Sequence, residues 1–250
     1  MAENNNALIE KMSIKILSAI VSVIQERRVM TKEHGNNDIE VVNVKLEVES
    51  DMIFKIFERI VPYVPKEYFD FFINFFLVLD SVKNIDKISS VTPRNKYSNS
   101  SGIKNIKETS YDIAAKTTLL EHIANIVEMI TVNYERTLSN ELDEKERLSK
   151  NEFLHLIFLA LFHDIGKIIP LMDKYGVGLD MGHEKRSLVF LKMFIETYKK
   201  DENLKKNMDS LEKNMQRLAD YKTNTLLNKF HRYDENARLS EIKKLKTKEK

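Results

Sequence analysis

The sequence contains no cysteine and has little glycine or proline. Without cysteine, neither a disulfide bond nor a thiolate metal ligand is possible, and the chain suits a reducing cytoplasm. Only 6 glycines and 4 prolines stand among the 250 residues. Turns are therefore few, short strands are disfavoured, and the composition favours long helices. We expect an all-α fold and a cytoplasmic location.

The sequence also lacks a charge excess and a long apolar run. Its 40 basic and 38 acidic residues leave a net charge of +2, which gives no overall attraction to nucleic acid or anionic lipid. Lys11 and Lys15 interrupt the N-terminal apolar stretch, so the pattern predicts an amphipathic helix rather than a signal peptide. The most apolar later run, Phe69 to Leu79, has about half the length needed to cross a bilayer. We expect no membrane partner.

Residues 1–95 are predicted to form an N-terminal helical region. Apolar residues at helical spacing predict a helix over 7–30. Ser50 and Asp51 are suitable caps for a further helix that begins there. The one strand-like pattern alternates apolar and polar residues over 41–48, and no partner strand is evident in the sequence.

The second half of this region combines a buried helix and a loop. Residues 67–82 are apolar almost all round, which suits a buried helix, and we interpret their phenylalanines as core. Residues 86–106 are rich in serine and asparagine and predict a linker or exposed loop. We place the linker between domains at 96–106.

Residues 107–245 form the second predicted domain, and residues 246–250 are interpreted as a basic, solvated tail. The strongly polar segment 199–217 is expected to project into solvent. Helical patterns occur at about 111–138, 150–164, 181–199, 203–229 and 234–247.

The most informative motif is LFHDIGKIIP at residues 161–170. His163 and Asp164 are adjacent where an apolar helix ends, Gly166 permits a tight backbone path, and Pro170 prevents continuation. Neutral imidazole binds borderline metals, and a carboxylate adds negative charge. Consecutive helical residues point about 100° apart, so the pair shares one ion only if the helix end relaxes this limit. Otherwise the aspartate bridges two ions or orients the histidine.

Other candidate ligands each have an ordinary structural explanation as well. His122 lies on an apolar helix, where a histidine is more often a hydrogen-bonded core residue. His183 opens a helix, where a capping or surface role is common. Asp234 is as well suited to be an N-cap as to be a metal ligand. His155, on the helix of the doublet, is expected at the surface or behind a ligand. His34 lies in a turn without partners.

Taken together, the order His122, His163-Asp164, Asp234 resembles the H…HD…D pattern of the HD superfamily of metal-dependent phosphohydrolases. FHDIGK is similar to the doublet of HD-GYP phosphodiesterases and RNase Y-like nucleases. LLEHIANI is similar to the first-histidine helix, and DENARLSEI to the closing helix. The resemblance covers about residues 105–245 and implies an HD-domain helical bundle.

The resemblance also implies a ligand set. His122, His163, Asp164 and Asp234 match the metal ligands of the family, and His183 resembles the extra histidine of members with two metals. Asp220 is the rival for the closing position, but Asp234 is preferred because Ala237 and Arg238 follow it as in the family. His231 is a further candidate ligand.

One or two divalent ions are implied, with manganese, iron, zinc, nickel or cobalt suited to the ligands and magnesium as a further candidate. Asp164 would ligate the metal and orient or deprotonate a water. Lys167 is either a contact to the substrate phosphate or a surface lysine. Arg238 either binds substrate phosphate or pairs with a carboxylate of the site.

Two departures from the family narrow the substrate. No Gly-Tyr-Pro follows the doublet, so cyclic di-GMP is not the substrate that we expect first. Lys167 stands where small mononuclear nucleotidases carry a glutamate. We expect cleavage of a phosphoester bond in a nucleotide, cyclic nucleotide or nucleic acid. A non-catalytic HD module for binding or regulation and a nucleic-acid-processing accessory protein of a mobile element are the alternatives. The N-terminal helices are expected to form a homodimer surface, a lid or an extension of the bundle.

Overall fold

The computed structural model describes residues 27–32, 41–91, 110–197, 209–210, 212–217 and 224–248. The fold is all-α, with one small β-hairpin ahead of the helices. Within these ranges, no helix has both the length and the apolar character needed to cross a bilayer. The labelled elements are β1 Arg27–Lys32, β2 Val41–Leu46, α1 Asp51–Ile60, α2 Phe69–Asp80, α3 Ser110–Ala114, α4 Leu119–Leu138, α5 Lys150–Phe162, α6 Ile169–Lys174, α7 His183–Glu196 and α8 Thr225–Lys248.

The hairpin supplies the partner that the strand-like pattern lacked. β1 pairs antiparallel with β2, with Arg27 opposite Leu46 and Lys32 opposite Val41. The strand over β2 is confirmed. The predicted helix over 7–30 is wrong for its last four residues, because pairing with β2 satisfies their backbone groups and outweighs the helical spacing. The rest of that prediction lies outside the described residues.

The aromatic core joins α2 to α5. Ser50 caps α1 as predicted, with its Oγ accepting from Ile53 N over 3.2 Å, and the phenylalanines of α2 are confirmed as core. The rings of Phe72 and Phe158 stack with centroids 4.9 Å apart. One hydrophobic core therefore includes residues from both predicted domains.

The segment after α2 returns to the core instead of leaving it. Leu119 N donates to Ile88 O over 2.6 Å, and Ser90 N donates to Thr117 O over 3.0 Å. Ser90 is fully buried. The predicted exposed loop over 86–106 is therefore wrong at 88–91, where these backbone hydrogen bonds hold the chain against the start of α4. The linker proper, 96–106, lies outside the described residues.

Capping sets where the helices around the doublet begin. The helix predicted over 111–138 is broken before Thr118, because Thr118 forms a reciprocal capping box with Glu121 and starts α4 afresh. Ser149 and Glu152 form the same box at the start of α5. These caps fix the starting points of the two helices that carry the candidate histidines.

The C-terminal helix is longer than the sequence pattern indicated. The predicted break between 229 and 234 is absent, since α8 runs without interruption from Thr225 to Lys248. Asp234 is thus in mid-helix and is not an N-cap. Most of the polar segment 199–217 lies outside the described residues, but residues 212–216 are helical and Met215 is buried, so this part does not project into solvent. The predicted tail begins within the last turn of α8.

Candidate metal centre

The His-Asp doublet lies at the point where α5 ends. The helix stops at Phe162, and His163 is its C-cap, with His163 N donating to Leu159 O over 2.9 Å. Asp164 then leaves the helical conformation, with φ −112° and ψ 3°. His163 Nε2 and Asp164 Oδ2 consequently lie 3.4 Å apart. The helix end therefore brings together two side chains that would diverge within a helix.

The first turn of α7 packs against the doublet through Gly166. A Cβ there would collide with His183 O and lie 2.7 Å from Ser187 N, so glycine is needed for this approach. Ser187 Oγ donates to His163 O over 2.9 Å and accepts from Gly166 N over 2.8 Å. This docking brings His183 Nε2 to 3.4 Å from Asp164 Oδ1.

His122 faces two carboxylates of α8. Its Nε2 lies 2.9 Å from Asp234 Oδ1, and its Nδ1 lies 2.9 Å from Glu241 Oε1. Asp234 and Glu241 are seven residues apart, so they share one face of the helix, and the fully buried Ala237 lies between them. The small side chain of Ala237 suits the close packing of α8 against α4.

The geometry of the trio could hold a metal ion. Ligand atoms of His122, His163 and Asp164 all lie within 4.8 Å of one another, and all three residues are buried. Two atoms bound to one ion are separated by about 3–3.5 Å when each bond is about 2.0–2.2 Å long. The His163 Nε2–Asp164 Oδ2 separation is 3.4 Å and the His122 Nε2–Asp234 Oδ1 separation is 2.9 Å. The trio would hold the ion, with Asp234 beside it.

His163 Nε2 is buried without a hydrogen-bond partner. Its Nδ1 lies 3.2 Å from Leu159 O and 3.1 Å from Ala160 O. Both oxygens are acceptors, which assigns the ring proton to Nδ1 and leaves a lone pair on Nε2 of the neutral ring. Nε2 faces an oxygen of Asp164 at 3.4 Å, and either a proton on Nε2 or a bound cation makes this contact favourable.

Electrostatics keep the carboxylates ionised. Burial raises the pKa of Asp164, but His163 more than offsets this, and the pKa lies well below the ordinary value of 3.8. Burial raises the pKa values of Asp234 and Glu241, but hydrogen bonding to His122 contributes to a larger opposite effect. Both pKa values therefore lie below their ordinary values. Burial lowers the pKa of His163, but the charge of Asp164 produces a net rise. These pKa directions follow from attraction between the histidines and the carboxylates of the site.

Two cations and Ser90 complete the site. Lys167 Nζ donates to Asp164 Oδ2 over 2.5 Å and to Ser90 O over 2.7 Å. Arg238 Nη1 donates to Ser90 Oγ over 2.7 Å and to Glu241 Oε2 over 3.1 Å. Lys167 is therefore not a surface lysine, and Arg238 pairs with a carboxylate of the site. When the imidazoles are neutral, Asp164, Asp234 and Glu241 carry three negative charges, and Lys167 and Arg238 carry two positive charges. The site then has a net charge of −1.

A cavity of about 540 Å³ opens onto this centre. Its wall includes Asp164, Lys167 and Arg238. A larger groove, of about 760 Å³, is lined by Asn125 and Glu241 but not by the doublet. We assign the candidate site to the smaller cavity, because His163, Asp164 and both cations line it.

The structure brings together most of the ligands that the sequence suggested. His122, His163 and Asp164 form the compact trio. Asp234 contacts His122, and His183 approaches Asp164 from α7 with its side chain 25% exposed. These last two residues therefore border the trio.

The remaining candidates are placed less centrally. His231 lines the cavity. His155 is half-buried on α5, and burial lowers its pKa. Asp220 and His34 lie outside the described residues, and Asp234 is the aspartate of α8 that contacts His122.

Sequence reasoning missed Glu241, Asn125 and Ser90. Glu241 had a signal, since its spacing of seven from Asp234 puts both on one helical face. Asn125 follows His122 by three residues and had the same kind of signal. Ser90 had none, because it reaches the site through the fold of the segment that precedes residue 92.

No protein-family model, curated protein or solved structure matches this chain. The resemblance to the HD superfamily therefore stays a prediction. The interpretation of the site depends on its own residues and their geometry.

Proposed function

We propose that this protein is a metal-dependent phosphohydrolase of the HD type, which cleaves a phosphoester bond in a nucleotide, cyclic nucleotide or nucleic acid. The observation that carries the proposal is the buried trio of His122, His163 and Asp164, with His163 Nε2 lacking a hydrogen-bond partner. A buried imidazole nitrogen 3.4 Å from a carboxylate oxygen is suited to hold a cation between them, and a metal ion there would satisfy both groups.

The donor set supports a transition metal. Two imidazole nitrogens with one carboxylate suit manganese, iron, zinc, nickel or cobalt, whereas magnesium prefers oxygen ligands and water. His183 Nε2, 3.4 Å from Asp164 Oδ1, would contribute to a second ion if Asp164 bridges two.

The surrounding residues suit a phosphoester. A divalent metal at the trio would supply Lewis acidity to a phosphoryl oxygen and lower the pKa of water. Lys167 and Arg238 line the same cavity and offer N–H donors to the anionic oxygens of the substrate. Arg238 is held in place by Ser90 and Glu241, so little ordering is needed when substrate binds. Asp164, which stays ionised, would orient the attacking water. The new P–O bond forms as the bond from phosphorus to the leaving oxygen breaks, and the proton that the water loses ends on the leaving oxygen.

The test compares wild type with Asp164→Asn and Asp173→Asn. Asp173 is an exposed residue of α6 and is the matched control. We expect about one or two equivalents of a transition metal in the wild type and in the control by elemental analysis, and loss of metal in Asp164→Asn. With that metal, the wild type and the Asp173→Asn control should hydrolyse bis-p-nitrophenyl phosphate or p-nitrophenyl phosphate, and Asp164→Asn should not.

Thermal unfolding of each variant establishes that the fold is retained. Metal in none of the proteins after incubation with manganese, iron and zinc would overturn the proposal. Full phosphoesterase activity in Asp164→Asn would equally contradict the assigned site. Metal binding without turnover of any phosphoester would instead favour a binding or regulatory module.

A further inference from the structure

Glu241 is a buried carboxylate that touches the centre only through His122. Its side chain is 3% exposed, and Oε1 lies 2.9 Å from His122 Nδ1. Asn125 Nδ2 donates to the same oxygen over 2.9 Å, while Arg238 Nη1 donates to Oε2 over 3.1 Å. Three donors from α4 and α8 thus hold both oxygens, and Glu241 has one fixed orientation.

Each ring nitrogen of His122 faces a carboxylate, Nδ1 that of Glu241 and Nε2 that of Asp234, both at 2.9 Å. An ionised carboxylate only accepts hydrogen bonds, so these two contacts alone do not choose a tautomer. A metal ligand must offer a lone pair, so when Nε2 binds the proposed ion the proton lies on Nδ1, where Glu241 accepts it. Nε2 is the nitrogen on the side of Asp234, at 2.9 Å, and therefore on the side of the proposed ion. A carboxylate behind an imidazole also makes the ring a more basic ligand.

Asn125 shows that an anion is required behind His122. Its amide donates to Oε1, so this oxygen accepts two hydrogen bonds at once. A glutamine at position 241 has one acceptor oxygen and one amide nitrogen. If the nitrogen faced His122, it would oppose the Nδ1 proton, and if it faced Arg238, it would oppose the guanidinium. Neither orientation satisfies all three donors.

We infer that Glu241 is a positioning residue, which fixes the tautomer and ring orientation of His122 so that Nε2 is presented to the metal. The inference rests on the proposed metal-dependent function. In this role Glu241 contacts neither the proposed metal nor the substrate. It acts on the centre through the imidazole of His122.

The test measures zinc binding and the His122 ring together in the full-length protein. Zinc affinity is determined by competition with a chelator for wild type, Glu241→Gln, Glu241→Ala and Glu144→Gln, the last being an exposed control with the same charge change. The ring nitrogens are observed by nitrogen-15 NMR of zinc-loaded protein labelled at histidine, with His122→Gln used to assign the signal. Glu241→Gln keeps the shape of the side chain and carries the test if Glu241→Ala fails to fold.

We expect wild type and the control to bind zinc with equal affinity and to show His122 protonated at Nδ1. Both Glu241 variants should bind zinc about 10- to 100-fold more weakly and lose the hydrogen-bonded Nδ1 proton signal. Unchanged affinity, or weaker binding with an unchanged His122 spectrum, would overturn the inference and leave the proposed function standing. Failure of the wild type itself to bind zinc or any other transition metal would instead overturn the proposed function, and the inference with it.

Discussion

His163 and Asp164 are neighbours in the chain, yet their side chains converge, with Nε2 of one 3.4 Å from Oδ2 of the other. Within a continuous helix the two would point about 100° apart. They meet because α5 ends at Phe162 and Asp164 adopts a non-helical conformation. The two side chains therefore meet because of the turn that follows the helix, and Gly166 in that turn allows the close approach of α7.

Gly166→Ala should separate α7 from the doublet. The new Cβ would collide with His183 O and lie 2.7 Å from Ser187 N, and both are backbone atoms that cannot rotate away. We expect a loss of about 1–3 kcal/mol in the free energy of unfolding, measured by urea denaturation, together with weaker metal binding.

Gly178→Ala is the matched control for this prediction. A Cβ there would meet Asp180 Oδ1 at 2.7 Å and Met181 Cε at 3.3 Å, and both atoms are the ends of side chains. These side chains rotate aside, so the variant should retain wild-type stability and metal content. Equal effects of the two substitutions would contradict the role assigned to the close approach at Gly166.

Lys167→Met should be destabilising chiefly when metal is absent. Lys167 Nζ lies 2.5 Å from Asp164 Oδ2, and the carboxylate side chain is only 8% exposed. Without Lys167 the carboxylate loses a buried partner, which costs about 3–5 kcal/mol. A metal at the trio neutralises the same carboxylate, so the loss should be smaller in saturating manganese or zinc than in chelator.

The surface pair of Lys192 and Glu212, 2.9 Å apart, supplies the control. Lys192→Met should lower the free energy of unfolding by less than about 1 kcal/mol, with or without metal. If the effect of Lys167→Met is the same in chelator and in metal, no cation binds at Asp164.

The sequence predicted the helices and the doublet better than it predicted the connections. Apolar spacing is a local signal, so α1, α2 and α5 were expected close to where they lie. The ends of α4 and α8 were not, because Thr118 restarts a helix through a cap and because no residue between 229 and 234 forces a break. The return of Ser90 to the core depends on hydrogen bonds to Thr117, which is distant in the chain.

In the candidate site, too, the local motif could be predicted from the sequence and the long-range contacts could not. His163 and Asp164 are recognisable from their motif, whereas the partners that fix their surroundings come from separate elements. Glu241 and Asn125 become meaningful only when α8 lies against α4, and sequence spacing alone does not say which helices are neighbours. The role of Lys167 likewise required the position of Ser90, which no local pattern indicates.

The Arg59–Glu135 pair should make stability depend on pH. Arg59 donates to both oxygens of Glu135, over 2.5 and 2.8 Å, and Tyr63 Oη donates to Oε1 over 2.6 Å. The hydrogen bond from Arg59 lowers the pKa of Glu135 below its ordinary value of 4.5, although burial opposes this. A carboxylate with a lowered folded-state pKa stabilises the fold above its unfolded-state pKa, and this contribution is lost as pH falls.

We therefore expect Glu135→Gln to be less stable than wild type by about 0.5–1 kcal/mol at pH 7, because the pair is partly exposed to solvent. The difference should narrow as the pH is lowered through and below 4.5, and should shrink at pH 7 in about 1 M salt. Urea denaturation from pH 7 to pH 3 measures it. A difference that stays constant with pH would contradict the ion pair.

The stacked rings of Phe72 and Phe158 should couple the N-terminal helices to the helices that carry the proposed metal ligands. Their centroids are 4.9 Å apart, with 17° between the ring planes, and they join α2 to α5. Each substitution by alanine should lower the free energy of unfolding by about 3–5 kcal/mol, since both side chains are buried. In a double-mutant cycle the pair should show a coupling energy of about 0.5–1.5 kcal/mol.

Phe72 and Phe230 provide the comparison, because both are buried and the ring of Phe230 lies against those of His163 and His231. Their substitutions should be additive within about 0.5 kcal/mol. All single variants should unfold in one transition, because the residues belong to one hydrophobic core. Two separate transitions, with Phe72→Ala affecting only one, would show that the N-terminal helices fold independently of the helices that carry His122 and His163.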